Sequence, residues 1–70
     1  MIRKRSVTIR GHRTSISLED EFWQALREIA AARDLSLAAL IAEIDENRRS
    51  DDNLSSAMRL RVLEWLRSGK

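Results

Sequence analysis

Residues Arg13-Thr14-Ser15-Ile16-Ser17-Leu18 alternate polar and apolar side chains and run without a break into Glu19-Asp20-Glu21-Phe22. Alternation of period two is the mark of a strand with one face to bury, and clustered acids suit the first turn of a helix. A lone strand of about six residues leaves both edges unpaired and cannot cover its own apolar face. It needs a partner strand, and in a chain of 70 residues the expected partner is a second copy of the same chain.

Size points the same way. A core this small rarely contributes more than ~3–5 kcal/mol, and small domains are usually reinforced by disulfides, metals or oligomerisation. The chain has no cysteine, which removes disulfides and thiolate metal sites, and one histidine with scattered carboxylates makes no metal cage. Neither metal nor cofactor is expected, and a homodimer is. Lack of cysteine fits a reducing cytosol. Met1-Ile2-Arg3-Lys4-Arg5 opens like the basic end of a signal peptide, but no apolar run of signal length follows. No stretch approaches the ~20 apolar residues of a membrane span, so the expectation is a soluble, cytoplasmic chain with no membrane partner.

The net charge of +2 is unevenly laid out. Residues 1–16 carry Arg3, Lys4, Arg5, Arg10 and Arg13 and no acid, whereas the remainder has more acids than bases. A basic arm on a mildly acidic body is the layout of a protein that meets a polyanion with one end.

Residues 1–12 are therefore expected to form a basic arm. Within it Ser6-Val7-Thr8-Ile9-Arg10 also alternates, so residues 6–10 are either an additional strand in a hairpin or part of one extended arm kinked at Gly11. His12, beside that glycine, is expected as a turn residue. The first helix should start near Ser17, with Ser17 and Asp20 as a capping box, and run to about Arg33. Phe22, Leu26 and Ile29 form its apolar stripe, and Trp23 lies at the edge. Ser36 opens a second helix in which Leu37, Leu40, Ile41 and Ile44 share one face. Residues 47–53 read as a polar loop. A third helix follows over 54–67, capped by Asn53 or Ser55. Leu54, Ala57, Met58, Val62, Trp65 and Leu66 share a broad face of that helix, while Leu60 and Leu63 fall outside it. A helix apolar over so much of its circumference is buried on more than one side, which again calls for a second chain.

The junction Ser15-Ile16-Ser17-Leu18-Glu19-Asp20-Glu21-Phe22, followed by Asp34-Leu35-Ser36-Leu37-Ala38-Ala39-Leu40-Ile41, resembles the ribbon-helix-helix superfamily over residues 13–46. With the segment from Asn53 to Leu60 added, the chain is similar to short bacterial members with an extra C-terminal helix. The resemblance implies a mainly α protein with a short N-terminal β-ribbon, in which two chains pair their strands antiparallel and interlock their helices. It implies a DNA-binding transcriptional regulator whose ribbon enters the major groove. Arg13, Ser15 and Ser17 then fall at the base-reading positions, with Ser17 third because its hydroxyl is engaged as a cap. Ser36 and Leu37 match the helix N-terminus that grips phosphate, and Arg3, Lys4, Arg5 and Arg10 would add backbone contacts. Ile16, Leu18, Phe22, Leu40, Ile44, Leu60, Leu63 and Trp65 would lie at the dimer interface.

Three features favour an alternative, a protein-interaction adaptor on the same scaffold, and the over-apolar third helix is one of them. The ribbon offers few base readers, and Asp34 near the phosphate grip repels an anion. An antitoxin of a toxin–antitoxin pair ranks lower, because only Ser68-Gly69-Lys70 follow the last helix. Arg48-Arg49 reads as a solvated loop pair. Asp51-Asp52 lacks the spacing of a calcium loop. No catalytic residue is expected: the single histidine has no local partner, and Gly11 and Gly69 form no phosphate-cradling loop.

Overall fold

The computed structural model describes residues 1–48 and 53–69, which fold as two strands and three helices. These are β1 (Ile2–Ile9), β2 (His12–Glu19), α1 (Asp20–Ala32), α2 (Leu37–Asn47) and α3 (Leu54–Arg67). β1 and β2 pair antiparallel from Ile2↔Glu19 to Ile9↔His12. Their two-residue connection, Arg10-Gly11, has φ of 51° and 81°. Positive φ at both central residues is the type I′ arrangement, whose twist matches that of a hairpin.

The hairpin answers the question left open at Gly11 and alters three expectations. The strand in the basic arm begins at Ile2 rather than near Ser6. His12 is the first residue of β2, because the turn falls one residue earlier than its Gly-His pair suggested. The strand that needed a partner finds one in its own chain, since β1 is long enough to pair with all of β2.

That pairing also moves the start of α1. With Lys4 opposite Ser17 and Ile2 opposite Glu19, Ser17 remains in the ladder and the helix begins at Asp20. Ser17 is therefore not the N-cap. The cap position falls to Glu19, whose side chain makes no capping bond, while Asp20 and Glu21 place negative charge at the positive end of the helix dipole. α1 ends in a Schellman motif. Leu35 N–H donates to the Ala30 carbonyl at 2.8 Å and Asp34 N–H to that of Ala31 at 3.1 Å, with Asp34 at φ 57°. Ser36 then caps α2, its hydroxyl accepting from Ala39 N–H at 3.0 Å. Asn53 caps α3 by accepting from Ser56 N–H at 2.7 Å, which leaves Ser55 for another role.

All three helices lie on one face of the ribbon. Ile9, Ile16 and Leu18 are buried there against Leu26, Ile29 and Ala30 of α1, Leu40, Ile41 and Ile44 of α2, and Met58 and Val62 of α3. Val7, Phe22, Trp23 and Trp65 pack around this core, half-buried. The leucines of α3 divide differently from the helical-wheel expectation. Leu66 stands 52% exposed and joins Leu60 (53%) and Leu63 (46%) on the side turned away from the core. Of the polar loop expected over 47–53, Asn47 closes α2 and Asn53 opens α3. Arg48, expected as half of a solvated loop pair, follows the end of α2 and donates to Asp45 at 2.7 Å, whereas Arg49, Ser50, Asp51 and Asp52 lie outside the described residues.

Candidate nucleic-acid interface

The register sorts the ribbon into two faces. Directly opposed residues share a face, and faces alternate along each strand. The inner face carries Arg3, Arg5, Val7 and Ile9 of β1 with His12, Thr14, Ile16 and Leu18 of β2. The outer face pairs Lys4 with Ser17, Ser6 with Ser15 and Thr8 with Arg13, all six exposed. These three pairs carry four hydroxyls, two cations and no acid; the fourth pair of the same parity, Ile2 with Glu19, lies beyond Lys4 and Ser17 at the end of the ribbon.

The five cations of residues 1–16 are divided by this geometry. Arg3 and Arg5 reach from the inner face to Asp20 in the first turn of α1, at 3.4 and 3.1 Å. Arg5 also lies 4.5 Å over the Trp23 ring, a cation–π contact that holds its guanidinium on the helix side. Arg10, in the turn, pairs with Glu46 near the end of α2 at 2.6 Å. Lys4 and Arg13 make no ion pair among the described residues, and both stand on the outer face.

Of the residues read as DNA contacts, the fold brings Arg13, Ser15, Ser17 and Lys4 together on one surface. Arg3, Arg5 and Arg10 are not on it. Charge counting along the chain could not separate them, because the separation depends on the parity of the ladder and on Asp20 and Glu46. The same surface also holds Ser6 and Thr8, which the sequence reading did not name as site residues; the alternation of Ser6-Val7-Thr8-Ile9 is the signal that places them there. Ser36 holds α2 by its own cap, so of the first helical amides Ala39 N–H is engaged by the Ser36 hydroxyl.

The acids nearest the ribbon are matched. Glu19 takes Arg59 at 2.8 Å, and Arg59 also lies 5.8 Å over the Phe22 ring. The Glu19 carboxyl is held below the usual range, first by its own backbone amide and then by Arg59. At the helix surface, Glu43 of α2 joins the other two, its side chain partly exposed. It accepts from Arg33, at the end of α1, at 2.6 and 2.9 Å, and from Arg61 of α3 at 2.7 Å. Those two guanidinium groups lower its pKa to about 2, and Glu43 in turn raises that of Arg33. This ion cluster ties the three helices to one another, and a local sequence pattern does not reveal it, since its members are 10 and 18 residues apart.

The residues expected at a dimer interface fall into two groups. Ile16, Leu18, Leu40 and Ile44 are buried inside the single chain, and Phe22 and Trp65 are half-buried. Only Leu60 and Leu63 are left exposed. Their hairpin-forming chain covers the others because β1 and α3 fold back over them. Among the described residues no three His, Cys, Asp or Glu are grouped to hold a metal ion, and no helix is long and apolar enough to cross a membrane.

No curated protein and no solved structure matches the chain. A family model described as a ribbon-helix-helix domain matches residues 2–66. Proteins of that kind generally bind DNA as transcription regulators or antitoxins, and typically dimerise. The match takes in both strands and nearly all of α3, so the hairpin and the third helix are part of the shared pattern: the chain belongs to the ribbon-helix-helix domain family.

Proposed function

We propose that this protein is a sequence-specific DNA-binding regulator that sets the outer face of its ribbon into the major groove. One observation carries the proposal: the two cations of the basic segment that make no ion pair among the described residues, Lys4 and Arg13, share the ribbon face turned away from the helices, with only hydroxyls between them. A two-stranded ribbon fits a groove about 12 Å wide, and Arg and Ser side chains can donate to base edges there. Arg13 is assigned to guanine, and Ser15 and Ser17 to neighbouring edges; Ser17, released from capping, is a full member of the set. Matching of Glu19 by Arg59 and of Asp20 by Arg3 and Arg5 limits repulsion of the phosphates at that end. Ser36 and Leu37 remain a further candidate grip on phosphate.

Gel retardation of genomic fragments at low salt tests the assignment. Binding is expected to weaken with salt, log K falling by ~0.9 per phosphate neutralised against log salt concentration. A folded protein that retards no fragment would overturn it.

The functional unit we propose is a homodimer joined through α3. Leu60, Leu63 and Leu66 form the exposed apolar face that a second copy would cover. The same face supports the second reading, an adaptor for another protein. Sedimentation of the L60E/L63E double variant separates the two. Conversion of dimer to monomer is the expected result, whereas a variant that keeps its oligomeric state and loses a stoichiometric protein partner would favour the adaptor.

A further inference from the structure

The apolar row on the inner face of β2 stops short of the turn. Ile16 and Leu18 are buried, but Thr14 and His12, which follow toward Arg10-Gly11, are polar and exposed. Their partners across the ladder are apolar, Val7 opposite Thr14 and Ile9 opposite His12, and Ile9 is buried. A cavity of about 480 Å³ lies on this face, between the turn end of the ribbon, the end of α2 and the start of α3. Cavities of about 300–1,000 Å³ that combine apolar walls with a few convergent polar groups are the usual form of small-molecule sites.

The walls have two characters. Ile9 and Leu54 supply apolar surface, whereas Arg10, His12 and Thr14 bring a guanidinium, an imidazole and a hydroxyl from the ribbon. Arg48 adds a second guanidinium from the end of α2, and it is engaged by the carboxylate of Asp45, which also lines the cavity, at 2.7 Å. Arg10 is held more loosely. Its partner at 2.6 Å is Glu46, which stands outside the lining, and the two side chains are 52% and 60% exposed. Exposed pairs of this kind contribute little, so a carboxylate entering the cavity can take the place of Glu46 on Arg10. Glu46 thus marks the chemistry that Arg10 accepts, an oxyanion set against its guanidinium fork.

We propose that this cavity binds a small organic anion with an apolar body. The carboxylate lies on Arg10, the body rests against Ile9 and Leu54, and His12 and Thr14 donate to the remaining acceptors. The site is on the inner side of the ribbon and stands apart from the DNA-binding reading of the outer face. Because its walls come from the ribbon, α2 and α3, only the folded chain assembles it, and an occupant stabilises the fold.

Heteronuclear NMR titration of the full chain tests the site, with phenylacetate, its neutral counterpart phenylacetamide and inorganic phosphate as probes. Phenylacetate is expected to shift the amides of Ile9, His12, Thr14 and Leu54 saturably and to raise the melting temperature. Phenylacetamide lacks the charge and phosphate lacks the apolar body, so each should bind about tenfold more weakly or worse. R10N keeps a residue suited to the turn but removes the guanidinium, and should weaken phenylacetate by about tenfold or more. E46Q removes the competing carboxylate and should tighten phenylacetate by about two- to fivefold. R27Q alters an exposed cation of α1 outside the cavity and should change nothing. Thermal melts confirm that each variant is folded. Shifts that fail to saturate, phenylacetamide or phosphate binding as tightly as phenylacetate, or an R10N variant that binds as the wild type does would each overturn the site.

Discussion

The backbone amide of Ser17 in β2 is tied to the side chain of Ser55 in α3 across 38 residues of sequence. This bond attaches the third helix to the open edge of the ribbon and fixes which way the edge amides point. Hydrogen exchange reports on it directly. S55A is expected to accelerate exchange at the Ser17 amide with little change at Ile16 or Leu18. Because both groups are accessible to water, the loss of stability should stay within about 0.5–1 kcal/mol. Unchanged exchange at Ser17 would mean that the edge is protected by something other than α3.

The hairpin depends on its turn. Gly11 has φ +81°, and a Cβ there would touch nothing within 4 Å, so the penalty of G11A is conformational rather than steric crowding from neighbours. An L-residue held in the left-handed region costs about 1–2 kcal/mol, and G11A should lower the urea midpoint accordingly. Arg10 occupies the first central position at φ 51°, where Asn is far better suited. R10N is therefore expected to raise the midpoint, since the exposed Arg10–Glu46 pair that it removes contributes little.

Much of this architecture is legible in the residues. Alternation in Arg13–Leu18, the cap at Ser36 and the periodicity of Leu40, Ile41 and Ile44 each report a local preference, and the structure keeps both elements they mark, β2 and α2. Ser17-x-x-Asp20 is a sound local cap and predicts a start of α1 near Ser17, three residues before the observed Asp20. The ladder with β1, a contact between residues far apart in sequence, outweighs it. The candidate site was only partly legible for the same reason. Whether a basic residue faces outward depends on strand parity, which the alternation does encode. Whether it is free depends on Asp20 and Glu46, which only the fold brings within reach. Pairing of β2 with a second copy was inferred from a real need, but β1 meets that need within the chain.

Asp34 illustrates a local compromise. It is the left-handed residue of the Schellman motif that ends α1, a position where glycine avoids the Cβ penalty. D34G should raise stability by up to about 1 kcal/mol in urea titrations, the gain being reduced by the greater freedom of glycine in the unfolded chain. The same change removes an acid two residues before the Ser36 cap. If that helix end grips phosphate, D34G should also tighten DNA binding at low salt, and an unchanged affinity would exclude Ser36 and Leu37 from the contact surface.

The Glu43 cluster gives the fold a defined response to acid. Hydrogen bonds from Arg33 and Arg61 hold the Glu43 carboxyl at about 2, against 4.5 for an unperturbed glutamate. A depressed folded-state pKa means that the unfolded chain binds the proton first as pH falls. The stabilisation is therefore complete above the unfolded value near 4.5 and is progressively lost as pH drops toward about 2. E43Q should lower stability at neutral pH, because the charge that joins the two guanidinium groups is gone. It should also flatten the fall in melting temperature below pH 4.5, leaving the smaller dependence expected from Glu19, whose carboxyl is lowered as well. Parallel melting curves for wild type and E43Q across that range check this. Equal acid slopes for the two proteins would show that Glu43 is not the group that links α1, α2 and α3 to pH.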